Sequence, residues 1–423
     1  MSTALCPFCI CGGERMRPGL TSPRSGTSML AGHTVLQIIP ELNAGGAERT
    51  AIDIAGALTD VGARALVASE GGRLVGQLQA RGGIWIPFPA STKNPLKMAF
   101  NVQRLRKIMR DEGVDLIHAR SRAPAWSALG AARSLKIPFA TTYHGAYSGL
   151  SAFKTLYNSV MARGDCVIAN SHFTAARIAE LFPQSAERLV VIHRGCDLRA
   201  FAPDSVDAGR VQKLRAQWGV APQERVVLLA ARLTAWKGQR VLIDSARILA
   251  DRGYADVRFI LAGDAQGRTG YEAELDEQIA GAGLVGIVRR IGHCEDMPAA
   301  FLAASAVVVA STLPEAFGRS AVEAQAMGAP VIVTNIGAVP ETVLAPPQAP
   351  GHARTGWRIP PDDFLAMANA ISHTLDMQAS QREALALRAR AHVEAHFSLE
   401  RMCGSTLEVY AALLEGRAPQ IDD

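Results

Sequence analysis

The 423-residue sequence predicts an α/β protein built from two doubly wound parallel sheets in tandem, with a cleft between them. Three observations carry this prediction. Short apolar runs rich in Val and Ile alternate with amphipathic stretches of about 10–15 residues, the pattern of repeated strand–helix units. The alternation breaks once, over 198–224, and then restarts. Several strand-like runs end in Gly together with a charged residue, just where a helix-like stretch begins.

The strand-like runs of the first half are 34-TVLQIIPEL-42, 64-RALVAS-69, 84-IWIPF-88, 114-VDLIHA-119, 138-PFATTYH-144, 166-CVIANS-171 and 189-LVVIHR-194. Helix-like stretches lie between them at 47–62, 96–113, 124–136 and 172–182. Residues 201–224 are polar, contain Pro203 and Pro222 with one short helix-like piece, and read as a linker. The second half gives strand-like runs at 225–233, 257–263, 287–292, 306–311, 330–335 and 356–359, with helices at 239–253 and 271–283. Three helical stretches close the chain at about 362–376, 380–396 and 399–415. The expected units are therefore 29–200 and 225–395, with a terminal helix and tail over 396–423. Residues 1–28 show no apolar periodicity and are rich in Gly, Ser, Pro and Arg. They read as a flexible leader, or as a start assigned upstream of Met29, and lack the apolar segment of a signal peptide.

Composition narrows the function. With 48% hydrophobic and 20% charged residues the chain is neither disordered nor fibrous. No apolar run approaches the ~20 residues that span a bilayer. Residues 1–200 carry a net charge of +10 and residues 201–423 a net charge of −5, so the first half is expected to meet something anionic. The basic half lacks interleaved aromatics and any nucleic-acid module, which argues against nucleic acid as a partner. Seven scattered cysteines suggest a reduced, cytoplasmic protein. The cluster 6-CPFCIC-11 holds a Cys-x-x-Cys with no second ligand pair at zinc spacing, and no metal site is expected.

Four stretches bear chemistry. In 41-ELNAGGAER-49 a strand end meets Gly45 and Gly46 and a helix start, which suits either a phosphate or a plain tight turn. In 230-AARLTAWKGQR-240, Arg232 and Lys237 project beside a helix start. Cations there oppose the helix dipole, so an anionic ligand competes with two solvated charges as the explanation. In 314-PEAFGRSAVEAQAMGAP-330, Glu315 precedes a helix and Glu323 lies in its first turns, so both carboxylates can meet one ligand from different elements. In 141-TTYHGAYSG-149, His144 closes a strand at the expected cleft edge; His118, His172, His193 and His293 compete with it for attention. No Asp-x-Asp occurs, so a bound diphosphate would rest on Arg232, Lys237 and helix N-termini rather than on a carboxylate-held metal.

Together with 261-LAGD-264 and 337-GAVPE-341, these stretches resemble the retaining glycosyltransferase family four, whose GT-B fold faces two Rossmann-like domains across a cleft. The resemblance runs from about Met29 to the final helices. It implies a nucleotide-diphosphate sugar donor, no cofactor, and a glycan or glycolipid acceptor of lipopolysaccharide or surface-polysaccharide type. Carried over residue by residue, it puts Glu315 on the donor sugar hydroxyls, Glu323 on the ribose, and Arg232 and Lys237 on the diphosphate. Backbone around Phe317, Gly318, Arg319 and Ser320 faces sugar and phosphates, Gly45 and Gly46 approach from the other domain, and His144 sits near the sugar. The segment 292-GHCED-296, with His293 and Cys294, lies where the family reads the base. Gly337-Ala338 stands where many relatives have Gly-Gly.

Two other readings compete with a transferase: a GT-B sugar-nucleotide epimerase, and a non-catalytic partner subunit. The complete block from Glu315 to Glu323 argues against the first, and intact Arg232 and Lys237 against the second. Residues 93–110 carry six basic and no acidic residues beside Leu96, Phe100 and Leu105. They suit either a covering helix or peripheral contact with an anionic membrane on its inner face.

Overall fold

The computed structural model describes residues 28–43, 45–145, 151–267 and 269–420. The expected leader, with Cys6, Cys9 and Cys11, lies outside the described residues, as do 146–149 of the His144 stretch.

The first sheet contains β1 (Thr34–Ile38), β2 (Arg64–Ser69), β3 (Ile84–Pro87), β4 (Leu116–Ala119), β5 (Phe139–Tyr143), β6 (Cys166–Ala169) and β7 (Leu189–Val191). They pair in the order β3-β2-β1-β4-β5-β6-β7, every pair parallel. The second sheet contains β8 (Arg225–Ala230), β9 (Val257–Ala262), β10 (Val288–Gly292), β11 (Ala306–Val309), β12 (Val331–Thr334) and β13 (Trp357–Ile359). Its order is β10-β9-β8-β11-β12-β13, again all parallel. Both sheets are Rossmann-like, and all thirteen strands fall within runs read from the sequence. The inner strands are buried on both faces, which is why they read as continuous apolar runs rather than alternating ones, whereas the outer strands β3, β7, β10 and β13 are only partly buried. The order reverses between β1 and β4 and between β8 and β11, the places where such sheets bind ligands beyond their carboxyl ends.

Several helices start on a capping side chain. Asn94 accepts from the N–H groups of Leu96 and Lys97 at the head of Pro95–Asp111. Ser171 caps His172–Leu181, and Ser398 caps Leu399–Leu414. Four helices of four to seven residues, Val75–Ala80, Ala152–Asn158, Met297–Ala303 and Val339–Thr342, are too short to leave a helical period in the sequence.

Two stretches pack differently from what composition suggests. Within 201–224, the helix Ala208–Gln217 and its flanks bury Val206, Leu214, Trp218 and Val220 against Val226, Leu228 and Phe301 of the second unit. At the far end, helix Leu399–Leu414 crosses back to the first unit. Met402, Leu407 and Tyr410 share one core with Val35, Ile52, Leu58 and Val67. The two crossings run side by side: Cys196 N–H donates to the Phe397 carbonyl at 2.7 Å, and Leu399 N–H to the Cys196 carbonyl at 2.9 Å. Among the described residues, no helix is long and apolar enough to cross a membrane.

Candidate active site

Loops beyond the carboxyl ends of both sheets enclose a cleft of about 700 Å³. The first unit lends Gly46, His144, Asn170 and Arg194, and the second lends Arg232, Lys237, Glu315 and the 317–320 segment. Five cationic side chains (Arg177, Arg194, Arg232, Lys237 and Arg319) face one carboxylate, Glu315.

Two glycines position the central ion pair. Gly238, at φ +73°, ends the Lys237 loop; a Cβ there would stand 1.9 Å from the Ala310 carbonyl oxygen. Gly337, at φ +68°, lies so close under Glu315 that a Cβ would stand 2.5 Å from its carbonyl oxygen. Its neighbour Ala338 donates to that same carbonyl at 2.9 Å with φ −84°, a conformation that alanine adopts without strain. Lys237 Nζ then donates to Glu315 Oε1 at 2.6 Å and sits 4.2 Å from the centre of the Trp236 ring. Ser311 Oγ also donates to Glu315 Oε1. Gln239, fully buried, donates to the Arg232 carbonyl at 3.0 Å and fixes that loop.

Cations from both units converge on one helix start. A Cβ on Gly46 would lie 2.3 Å from Arg194 Nη1 and 3.1 Å from Arg319 Nη1. Gly46 opens the helix Gly46–Asp60, whose first N–H groups carry partial positive charge. Two guanidiniums beside that end are unfavourable for the protein alone and favourable around an anion. Arg319 is balanced by Glu323 at 2.7 Å, which raises its pKa above the ordinary arginine value.

His144 is held neutral. Enclosure of its ring, then the nearby Arg194 and Arg120, push its pKa well below the ordinary value. Arg194 Nη2 lies 3.2 Å from His144 Nδ1. An arginine only donates, so Nδ1 accepts and the proton sits on Nε2. That N–H is enclosed and has no partner among the described residues. The same holds for both side-chain polar atoms of Asn170, a residue only 2% exposed. Buried amides are nearly always bonded, so these groups mark a place for ligand polar atoms.

Residues 44–200 match the family Glycosyltransferase Family 4, and 210–392 match Glycosyl transferases group 1. The crystal structure of a glycosyltransferase from Rickettsia africae ESF-5 is 30% identical with a TM-score of 0.81, covering 90% of this chain and 98% of that one. The chain belongs to the group 1 glycosyltransferases of family four. This glycosyltransferase is also similar to Anabaena Alr3699/HepE, solved with UDP and glucose, at 27% identity and a TM-score of 0.77, covering 90% and 100% of the two chains. Among curated proteins it is 29% identical to the lipopolysaccharide core biosynthesis mannosyltransferase LpsB of Rhizobium meliloti (strain 1021), over 66% of this chain and 73% of LpsB. It is 30% identical to the D-inositol 3-phosphate glycosyltransferase of Salinispora arenicola (strain CNS-205), over 62% of this chain but 58% of that protein. The solved structures confirm the GT-B architecture.

Within this glycosyltransferase, His144, Arg232, Lys237, Glu315, Gly46, Phe317, Gly318, Arg319 and Ser320 all line the cleft, and Gly45 adjoins it as the residue before the helix. Glu323 lies one turn behind, turned to Arg319. His293 and Cys294 line a separate cavity of about 970 Å³, with Arg210, Arg289 and Arg290. The Cys294 side chain packs in the core of the second unit, where burial raises its thiol pKa. Sequence reasoning passed over Asn170, Arg194 and Trp236. Asn170 directly follows β6, and Arg194 lies three residues beyond β7. The rule that ligands gather beyond strand carboxyl ends was the available signal.

Proposed function

We propose that this glycosyltransferase moves a hexose, with retention of anomeric configuration and without a metal ion, from a nucleotide-diphosphate sugar to a glycolipid or surface-polysaccharide acceptor. The observation that carries this reading is the convergence of Arg194, Arg232, Lys237 and Arg319 with the Gly46 helix start on one cleft. The role of LpsB in lipopolysaccharide core biosynthesis supports the acceptor class, and the UDP bound to HepE supports the donor class.

Breaking the bond between the anomeric carbon and the phosphate oxygen leaves its electron pair on the diphosphate. Arg232, Lys237, the Gly46 helix start and the start of helix Arg319–Ala326 beside Gly318 stabilise that charge as it grows, the kind of term that usually dominates catalysis. The acceptor hydroxyl bonds to the anomeric carbon, and its proton passes to the departing phosphate oxygen. Glu315, held by Lys237 and Ser311, takes sugar hydroxyls. Asn170 and the His144 Nε2–H supply further sugar contacts. Glu323 takes the ribose hydroxyls in exchange for Arg319, which turns to the diphosphate. The base is read near His293, through the backbone of 292–296.

Localisation follows from the acceptor. In helix Pro95–Asp111, Leu96 is 74% and Phe100 77% exposed beside Lys97, Arg104 and Lys107, and Phe153 in the next exposed helix is 81% exposed. We place the enzyme in the cytoplasm with this face on the anionic inner surface of the membrane.

The test is a thermal-shift screen of UDP-, GDP- and ADP-sugars in chelator, followed by transfer with the stabilising donor. One donor should raise Tm, because a ligand of the folded state stabilises by mass action. Product with inverted configuration, epimerised donor, or activity unchanged by Lys237→Ala would overturn the proposal.

A further inference from the structure

A second group of polar side chains lies beside the cleft and plays no part in the proposed transfer. Glu341, in the short helix Val339–Thr342 of the second unit, reaches across to the first. Its Oε1 accepts from the Phe173 N–H at 2.7 Å and its Oε2 from the His172 N–H at 2.8 Å, so it closes the start of helix His172–Leu181. His193 Nε2 lies 3.1 Å from the same Oε2. The rings of His172 and His193 have centroids 5.4 Å apart. One ligand atom from each of His172, His193 and Glu341 falls within 4.8 Å of the other two.

We infer that His172, His193 and Glu341 form a binding site for a zinc-class divalent ion that ties the two units together at the edge of the cleft. Two imidazoles and a carboxylate are a ligand set for such ions, with solvent in the fourth position. Ligand atoms of a tetrahedral site stand roughly 3.3–3.6 Å apart, given metal–ligand bonds of about 2.0–2.2 Å. The His193–Glu341 separation of 3.1 Å is already close to that spacing. His172 is exposed and first in its helix, so its ring can swing inward by a rotamer change. The carboxylate is oriented by two backbone N–H groups, the outer bonds that ligating carboxylates commonly have. The helix start opposes a cation, but only through a solvent-screened partial charge beside a full carboxylate. His172 and His193 come from one unit and Glu341 from the other, so a bound ion favours the arrangement in which the units stay together. The ion takes no part in bond breaking, and its binding is measured without any sugar donor.

The thiols of 6-CPFCIC-11 form no complete zinc site, but added zinc can still bind loosely to them and blur the count. The experiment therefore uses the full chain with Cys6, Cys9 and Cys11 changed to Ser. Titration with Zn²⁺ by calorimetry should give one equivalent, and Co²⁺ should give visible bands of a tetrahedral nitrogen–oxygen site. Zn²⁺ should also raise Tm. His172→Ala removes a ligand yet keeps the backbone N–H that Glu341 holds, so fold and interdomain bond survive; it should weaken binding at least tenfold and abolish the Tm shift. His193→Ala should do the same. No saturable binding in the Cys-to-Ser chain, or a Kd that both His variants leave unchanged, overturns the inference.

Discussion

Asn170 is the residue whose environment is hardest to explain without a ligand. Its amide is buried and both of its polar atoms lack partners among the described residues, an arrangement that costs roughly 1–3 kcal/mol. Asn170→Ala should therefore leave Tm unchanged or raised while lowering kcat/KM about tenfold, a separation that thermal denaturation and steady-state kinetics will reveal. A loss of both together would mean that Asn170 is structural. The carboxylates divide by their partners. Glu315 is locked to Lys237 and Ser311 at the centre of the charge, whereas Glu323 is held by Arg319 one turn behind. Glu315→Ala should lower kcat by about 10²–10³, the scale for losing a preorganised electrostatic group, whereas Glu323→Ala should chiefly raise donor KM. Equal effects on kcat alone would point to an acid–base pair instead. How much of this site was legible also differs by residue. Arg232, Lys237, Glu315 and Gly318 could be read because each sits in a Gly-marked turn after a strand. The Lys237–Glu315 bond, the tautomer of His144 and the approach of Arg194 to Gly46 could not, because each joins residues far apart in the chain.

At the scale of elements, the strands were legible and several helical roles were not. β-branched runs buried on both faces announce themselves, whereas the helix Ala208–Gln217 is polar and shows its packing only through Leu214 and its neighbours Val206, Trp218 and Val220. The last helix was expected over 399–415, but not its place: it seals the first unit. Its Tyr410 hydroxyl lies 2.6 Å from His118 Nδ1, and His118 Nε2 lies 2.7 Å from Thr142 Oγ1, all of them buried. Tyr410→Phe strands a buried ring nitrogen and should cost about 1–3 kcal/mol, measurable by urea denaturation. The helix Pro95–Asp111 makes a different prediction. Reversing Arg104, Arg106 and Lys107 to Glu should abolish salt-sensitive binding to anionic vesicles with little change in Tm. Unaltered vesicle binding would return this helix to a simple covering role.

For the whole molecule, the titrating groups set a pH window. Burial pushes His118 and His144 well below 6.5 and His392 down to about 4. The folded state keeps these rings neutral while the unfolded chain takes up protons below about 6.5, so stability is lost as pH falls from there toward 4. Cys166 and Cys403 are pushed up to about 12, again by burial. Unfolded thiols ionise near 9 and folded ones do not, so stability also declines above about pH 9. Tm measured from pH 4.5 to 10 should therefore form a plateau between roughly 6.5 and 9. His392→Gln should shallow the acid limb, unless His392 is already charged in the folded state.

The return of the final helix has a consequence for how the protein is made. A ribosome releases the first sheet early, but the helix that covers Ile52, Leu58 and Val67 is encoded only at 399–414. Until that helix has been made, the nascent first unit carries an open apolar face. The second unit must be synthesised, and brought alongside, before the first can close. Premature termination anywhere in the second half should thus yield a sticky, chaperone-dependent fragment rather than a free-standing first domain.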